Sequence, residues 1–465
     1  MIVDQTEYET AAACMVSAGQ QGCEYRDELL GRVGGGFARR EPRMQAGKYV
    51  RALTADVPRK NGWQIAEWAG DASPDKMQRL LNQAVWDEQA AMGIVAQFVA
   101  EHLGGAEVDR YATVVLDESG QEKKGGRTAG VKRQYVGCAG RVSNAVNVVY
   151  ATWATVRGHA LAGARPYLPK EWACDPRLRA VAAIPQQVQF RTKPQLAIDI
   201  LTDLHAAGLA PPWATGDQVY GRDPALRGWC EAHGVGYVFG VPCSFMITLP
   251  CGQRMRADQA LTLVLPEAWN RASCGAGSKG DRTYDWAWLA VASDRHHLLI
   301  RRSLTDPAEV AFFYCYVPAG RPATLPALLT VAGRRWPVEE DFQVGKDQFG
   351  LDHSQVRHYK PLLRHLVLTM IALAACAVTA AAMRQATNTL PPPPTNPHDQ
   401  PPDDPGLIPL TVAEIRRLTN LVIHSGQQLA HHLRWIWWRR RHQARARWFH
   451  HRARLRREPL IPLTT

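Results

Sequence analysis

One change of texture, at residue 111, constrains this chain more than any other feature. Residues 1–105 read as helical and polar, whereas the runs 111–117, 131–137 and 145–156 are rich in Val, Tyr, Thr and Trp. Gly125, Gly126 and Gly140 punctuate those runs, so they read as three successive antiparallel strands. A helix follows from Thr192 to Ala207: Thr192 suits its cap, and Leu196, Ile200, Leu201 and Leu204 recur at helical spacing. Next come a short strand ending at Asp217, a helix near 223–232 and a strand at 236–242. The fold class is α/β.

That order of elements is the order of an RNase H-like core. The core then reads as interrupted, because 243–315 holds β-like runs at 284–292, 296–304 and 310–317 and no long helix. Helices return over 323–385, and the Pro-rich stretch from Leu390 through Pro405 reads as an extended linker. The expected organisation is therefore a helical N-terminal DNA-binding domain (1–105), a core in two parts (106–242 and 316–388), a β-rich insertion (243–315), a linker (389–407) and a basic helical C-terminal tail (408–465). Within the first region, 61–70 is an amphipathic piece. Ser73 and Pro74 open a second helix, as N-cap and first helical residue. Two short helices joined by 70–72 suit a helix-turn-helix-like DNA reader. Leu366–Met383 is uncharged and about long enough to cross a bilayer, but it is rich in Ala and Thr and reads as a helix buried against the sheet.

Three acids carry the chemistry. Asp117 ends the apolar run 111–117, Asp217 ends 213–217, and Glu339 lies on the expected helix after Pro337. Two carboxylates at strand ends and one on a helix can converge on a pair of hard cations, which activate and orient in-line attack on a phosphodiester. Arg335, Glu339 and Lys346 are four and seven residues apart, which returns them to within about 40° and 20° of one direction on a helix. Pro337 fits best at a helix start, which puts Glu339 in the first turn and Arg335 just outside. Glu118, Asp223, Asp341 and Asp352 read as turn, cap or supporting acids.

Charge points to the same partner. The chain carries a formal +12, yet Arg434–Arg457 contains ten Arg and no acid, leaving +2 for everything else. That block, with Arg439, Arg440 and Arg441 at its centre, interleaves Trp435, Trp437, Trp438, Trp448 and Phe449 with Arg and His, a composition suited to phosphates and stacked bases. Lys123, Lys124 and Arg127, followed by Lys132 and Arg133, form a basic loop next to Asp117 that is placed to grip the scissile backbone. Trp269, Trp286 and Trp288 are candidates for stacking on an unpaired base or for packing. The ten Cys include no CxxC pair, and the N-terminus carries no export-signal pattern, so reduced thiols in a cytoplasmic protein are expected.

The segments Asp117–Gly120, Gly130–Tyr135, Tyr167–Trp172, Asp217–Gly221, Tyr284–Ala287, Gly350–His353 and Arg59–Trp63 resemble bacterial insertion-sequence transposases with a DDE active site, most closely the insertion-sequence-701 family. The related insertion-sequence-four group carries a Tyr-Arg-Glu-Lys signature. Arg335, Glu339 and Lys346 match its last three positions, and Ala332 stands at the Tyr position. The resemblance implies an RNase H-like core in which Asp117, Asp217 and Glu339 bind two Mg²⁺, with Mn²⁺ as a possible substitute. It implies double-stranded DNA partners (terminal inverted repeats and target), a homodimer in the synaptic complex, no membrane, and a cytoplasmic, nucleoid-associated protein. The competing class is a non-catalytic DNA-binding protein derived from a transposase.

Overall fold

The computed structural model describes residues 5–136, 140–277, 280–422 and 426–457. Its strands are β1 (Thr113–Glu122), β2 (Lys132–Val136), β3 (Arg141–Ala154), β4 (His159–Pro166), β5 (Trp213–Gly216), β6 (Gly236–Val241), β7 (Met246–Thr248), β8 (Arg254–Arg256), β9 (Asn270–Gly277), β10 (Gly280–Val291), β11 (His296–Arg302) and β12 (Val310–Tyr316). All but β7 and β8 join one ten-stranded sheet in the order β2-β3-β1-β5-β6-β12-β11-β10-β9, with β4 also on β3; β7 and β8 pair apart as a small ribbon. β1 runs parallel to β5, and β5 parallel to β6; the other pairings are antiparallel. The molecule is mixed α/β around one large sheet.

β4 had no counterpart in the sequence reading. Its text is Ala- and Gly-rich with little β preference of its own. It is a strand because β3 is long enough to hold β2 along Arg141–Ala145 and β4 along Val148–Ala154 of one edge. The runs read as β-like in 243–315 are strands, and β12 bonds directly to β6, so β9–β12 prolong the main sheet.

The helices cover the sheet with the faces their spacing dictates. Helix Lys193–Ala206 starts at Thr192 with a full capping box to Gln195, and it buries Leu196, Ile200, Leu201 and Leu204. Helix Tyr359–Ala382 is apolar and long enough to cross a membrane, but 83% of its most apolar window is buried. It packs on β4 and on the helices Gln5–Gly34 and Glu88–Leu103. In the N-terminal region, Asn61 caps helix Gly62–Trp68 by accepting from Trp63 and Gln64 N–H groups. The second helix of the pair is Asp75–Asn82, one residue later than expected: Pro74 takes the cap position and Ser73 Oγ accepts from Asp75 N at 3.4 Å. Helix Val412–Val422 lies on Gln5–Gly34, and Arg416 donates to the Thr54 and Ala55 carbonyls and to Asp56. Helix Gly426–Arg457 follows it and touches both Gln5–Gly34 and β10.

Candidate active site

Sheet register brings the first two acids together. The parallel pairing of β1 with β5 ends at Leu116 and Gly216, so Asp117 and Asp217 are the next residues of two adjacent strands, which lie about 4.8 Å apart. The two chains then part. β1 continues with β3 alone, Asp117 opposite Tyr150, so Asp117 sits within its strand and not at its end. The apolar run stops there because the side chains face a cleft; the backbone pairing does not stop. Beyond β5 the chain turns into the short helix Gln218–Gly221, which Asp217 caps by accepting from Val219 N at 2.8 Å. Gly221 permits that turn: a Cβ there would stand 2.0 Å from the Gly240 carbonyl of β6.

Burial sets the electrostatics of this pair. It pushes the Asp117 carboxyl up to about 7, against the pull of Arg335 and of the Glu118 N–H, which donates to Asp117 Oδ1 at 2.8 Å. Burial raises Asp217 as well, and the Glu118 charge adds to the effect. Glu118 is itself held by Lys193 Nζ at 2.5 Å and by the Tyr220 hydroxyl at 2.9 Å. Sequence reasoning missed Lys193 and Tyr220. Tyr220 lay in sight, three residues after Asp217 in the segment that carries the resemblance, but nothing in a linear text ties Lys193 to a residue 75 positions earlier.

Glu339 approaches from a helix. Pro337 opens Pro337–Phe349, Gly350 closes it in the left-handed conformation (φ 67°), and Glu339 sits in the first turn with its side chain 51% exposed. Arg335 lies just outside the helix. Its guanidinium touches Glu339 Oε1 at 2.9 Å and lies 4.0 Å from Asp117 Oδ2. One cation thus stands between two of the three acids. Among the described residues no three His, Cys, Asp or Glu side chains close to metal-ligand spacing. Asp117 and Glu339 line one cleft of about 1470 Å³ with Glu118, Lys123, Lys193 and Lys346; Asp217, beside Asp117, does not reach its wall.

The Glu339 helix is fastened two residues further on. Buried Asp341 accepts from the Thr152 hydroxyl (2.8 Å) and pairs with His159 Nδ1 (2.9 Å), while His159 Nε2 lies 3.4 Å from Glu340. Burial works against a charge on His159, but the Asp341 and Glu340 carboxylates prevail and hold the imidazole protonated up to about 10. These residues tie the helix to β3 and β4.

The remaining expected site residues divide. Lys346 Nζ donates to the Gly120 carbonyl at 3.2 Å inside the acid cleft. Lys123 reaches the Ser354 carbonyl at 2.6 Å, and burial pushes its ammonium down to about 8. Lys124, Arg127 and Arg133 are exposed, and exposed Lys132 pairs with Glu171 at 2.5 Å. Trp286 is fully buried, and Trp269 lies under the Arg302 guanidinium, 3.9 Å from it. The Arg block behaves differently from an open phosphate surface. Arg440 is 1% exposed and donates to the Ile408 and Thr387 carbonyls, while Arg441 pairs with Glu7 (2.9 Å) and Asp404 (2.8 Å). Both guanidinium groups serve internal packing because the helix that carries them lies back on the molecule. The Arg439 side chain is outside the described residues.

Two protein families and a curated relative match this chain. The family described as DDE superfamily endonuclease matches residues 32–260, which hold Asp117 and Asp217. The family described as Transposase DDE domain matches residues 191–375, which hold Asp217 and Glu339. A probable transposase for insertion sequence element IS701 from Microchaete diplosiphon is 27% identical over 179 residues, 38% of this chain and 43% of that protein. The match thus spans less than half the length of that relative. Among solved structures, a piggyBac transposase synaptic complex with hairpin DNA aligns over 91% of this chain and 81% of its own, with 9% identity and a TM-score of 0.42. The two matched families, which between them span residues 32–375, and the IS701 relative place this chain with the DDE-type transposases, and its likeness is to the insertion-sequence-701 kind.

Proposed function

We propose that this protein is the transposase of an insertion sequence, cutting DNA at the ends of the element and joining those ends to target DNA. The proposed frame is an RNase H-like core, in two parts about the β-rich segment 243–315, with 1–105 and the C-terminal region as DNA-binding parts. The observation that carries the reading is the register that sets Asp117 beside Asp217, with Arg335 linking Asp117 to Glu339 across one cleft.

The donor set fits a divalent cation, since carboxylate oxygens are hard ligands and two of the three carboxyls are raised by burial, a cost that a nearby cation relieves. Asp117, Asp217 and Glu339 would hold Mg²⁺, two ions per site with Mn²⁺ as substitute, supplying Lewis acidity and a lower pKa for the attacking hydroxyl. The other residues do the positioning. Lys346 and Lys123, with Lys124 and Arg127, face phosphates; Lys193 and Tyr220 hold Glu118 of β1 in place; His159 and Thr152 fix the Glu339 helix through Asp341. Arg335 neutralises Glu339 in the free protein and turns to a phosphate once DNA arrives.

The partners we propose are the double-stranded terminal repeats and target DNA, with two chains meeting in the synaptic complex and the protein acting at the nucleoid in the cytoplasm. Asp117→Asn and Glu339→Gln should each lower end cleavage by at least roughly a thousandfold while terminal-repeat binding survives. Wild-type cleavage rates in either variant contradict the assignment. Joined product from pre-cut ends separates a transposase from a nuclease.

A further inference from the structure

The acid cleft does not end at the acids. It shares Arg59, Lys123, Lys124 and Asp352 with a second cleft of about 400 Å³, which shares Ser354, Gln355 and Arg357 with a third of about 490 Å³. The third is walled by Trp63, Gln78 and Asn82 of the helix pair Gly62–Trp68 and Asp75–Asn82. One groove therefore leads from Asp117 and Glu339 to the short helices of the N-terminal region.

Its floor is built from three loops fastened to one another. Lys123 Nζ donates to the Ser354 carbonyl (2.6 Å), Ala129 N to the Arg357 carbonyl (2.8 Å), and Lys60 N to His353 Nδ1 (3.1 Å). Such a floor is organised before any ligand arrives. Exposed Arg59, Lys124, Arg127 and Arg357 stand along it. The acids that face it are Asp352 and Glu122, the latter already paired with Arg141 at 3.1 Å. The charge left over is positive, as a polyphosphate backbone requires. At the far end Gln78 and Asn82 lie one helical turn apart, both exposed, next to Trp63, which is 66% exposed. Asn82 Nδ2 rests on the Gln78 carbonyl at 2.8 Å, a local bond that a base edge can replace. Carboxamides pair in two-pronged fashion with adenine in the major groove.

We infer that the terminal DNA of the element runs along this groove, its backbone on Arg59, Lys124, Arg127 and Arg357 and its bases read by Gln78 and Asn82. This rests on the proposed function of the acid cleft and adds where the end is read and how it reaches the acids.

The test uses the full chain and a pool of random DNA duplexes, with EDTA present so that no cleavage occurs. The wild type selects a preferred duplex, and anisotropy then measures its affinity against salt. The double variant Gln78→Ala with Asn82→Ala should lose roughly ten- to hundredfold discrimination at one or two adjacent base pairs while its salt slope stays the same. Arg127→Ala with Arg357→Ala should weaken binding to every duplex and reduce the salt slope by about two, with the sequence preference kept. All four side chains are exposed, so unchanged circular-dichroism melts certify the folds. An unaltered preference in the amide variant, an unaltered salt slope in the Arg variant, or tighter binding of duplex RNA than of any DNA overturns the inference. If groove variants bind as wild type while Asp117→Asn still loses cleavage, the groove is wrong and the proposed function stands. If they behave as expected and the wild type never cleaves with Mg²⁺, the reverse holds.

Discussion

At the scale of single residues, the molecule repeatedly buries a polar side chain and pairs it. His365 is the clearest instance outside the acid cleft. Its Nε2–H donates to the Gly350 carbonyl (3.0 Å), so Nδ1 accepts from the Tyr49 hydroxyl (2.9 Å), and the ring is held neutral. Burial lowers its pKa to about 4 from the ordinary 6.5. Between those values the unfolded chain binds a proton that the folded chain refuses, so stability rises with pH across that window and is lost as pH falls through it. The contribution is on the order of 3 kcal/mol. Denaturant midpoints of the wild type should fall from pH 6.5 to 4, and His365→Gln should flatten that slope; an equal slope in both would remove His365 from the account. Asp117 and Asp217 were legible in the sequence because an apolar run halts at each. Glu118 reads only as a turn, cap or supporting acid, since its partners Lys193 and Tyr220 become neighbours through the fold alone.

At the scale of elements, most of the core could be read from local spacing. Thr192 caps its helix as expected, in a box that Gln195 completes, and strands β1, β2, β3, β5, β6 and β10–β12 overlap the runs read for them. β4 escaped, because its strand character comes from the long edge of β3. Missing β4 also hid His159, its first residue, and with it the anchor of the Glu339 helix. His159→Ala leaves buried Asp341 with only the Thr152 hydroxyl, which should cost roughly 3 kcal/mol of stability. It should also slow cleavage with little change in DNA affinity, because the helix that presents Glu339 is loosened while the basic groove is untouched. Urea melts and a split of cleavage from binding check this; full stability in the variant would contradict it.

At the scale of the whole molecule, the chain reads as a series of segments, but its C-terminal helices fold back onto its N-terminal helices. Gln5–Gly34 supports Val412–Val422, Arg416 reaches back to Thr54 and Asp56, and Arg440 and Arg441 are spent on internal partners. Composition marked this region as basic and did not reveal the docking, because the same Arg that suits a phosphate also suits a buried carbonyl. The same long-range folding sets Asp117 beside Asp217 and puts Glu339 on the cleft that Asp117 lines, and the proposed function requires all three to act on one pair of divalent ions. Thiolate is a softer ligand than carboxylate and favours Mn²⁺ over Mg²⁺. The most direct test therefore assays end cleavage by Asp117→Cys and Glu339→Cys in each metal. Both variants should be silent with Mg²⁺ and recover with Mn²⁺; wild-type cleavage with Mg²⁺ by either would contradict a shared pair of ions.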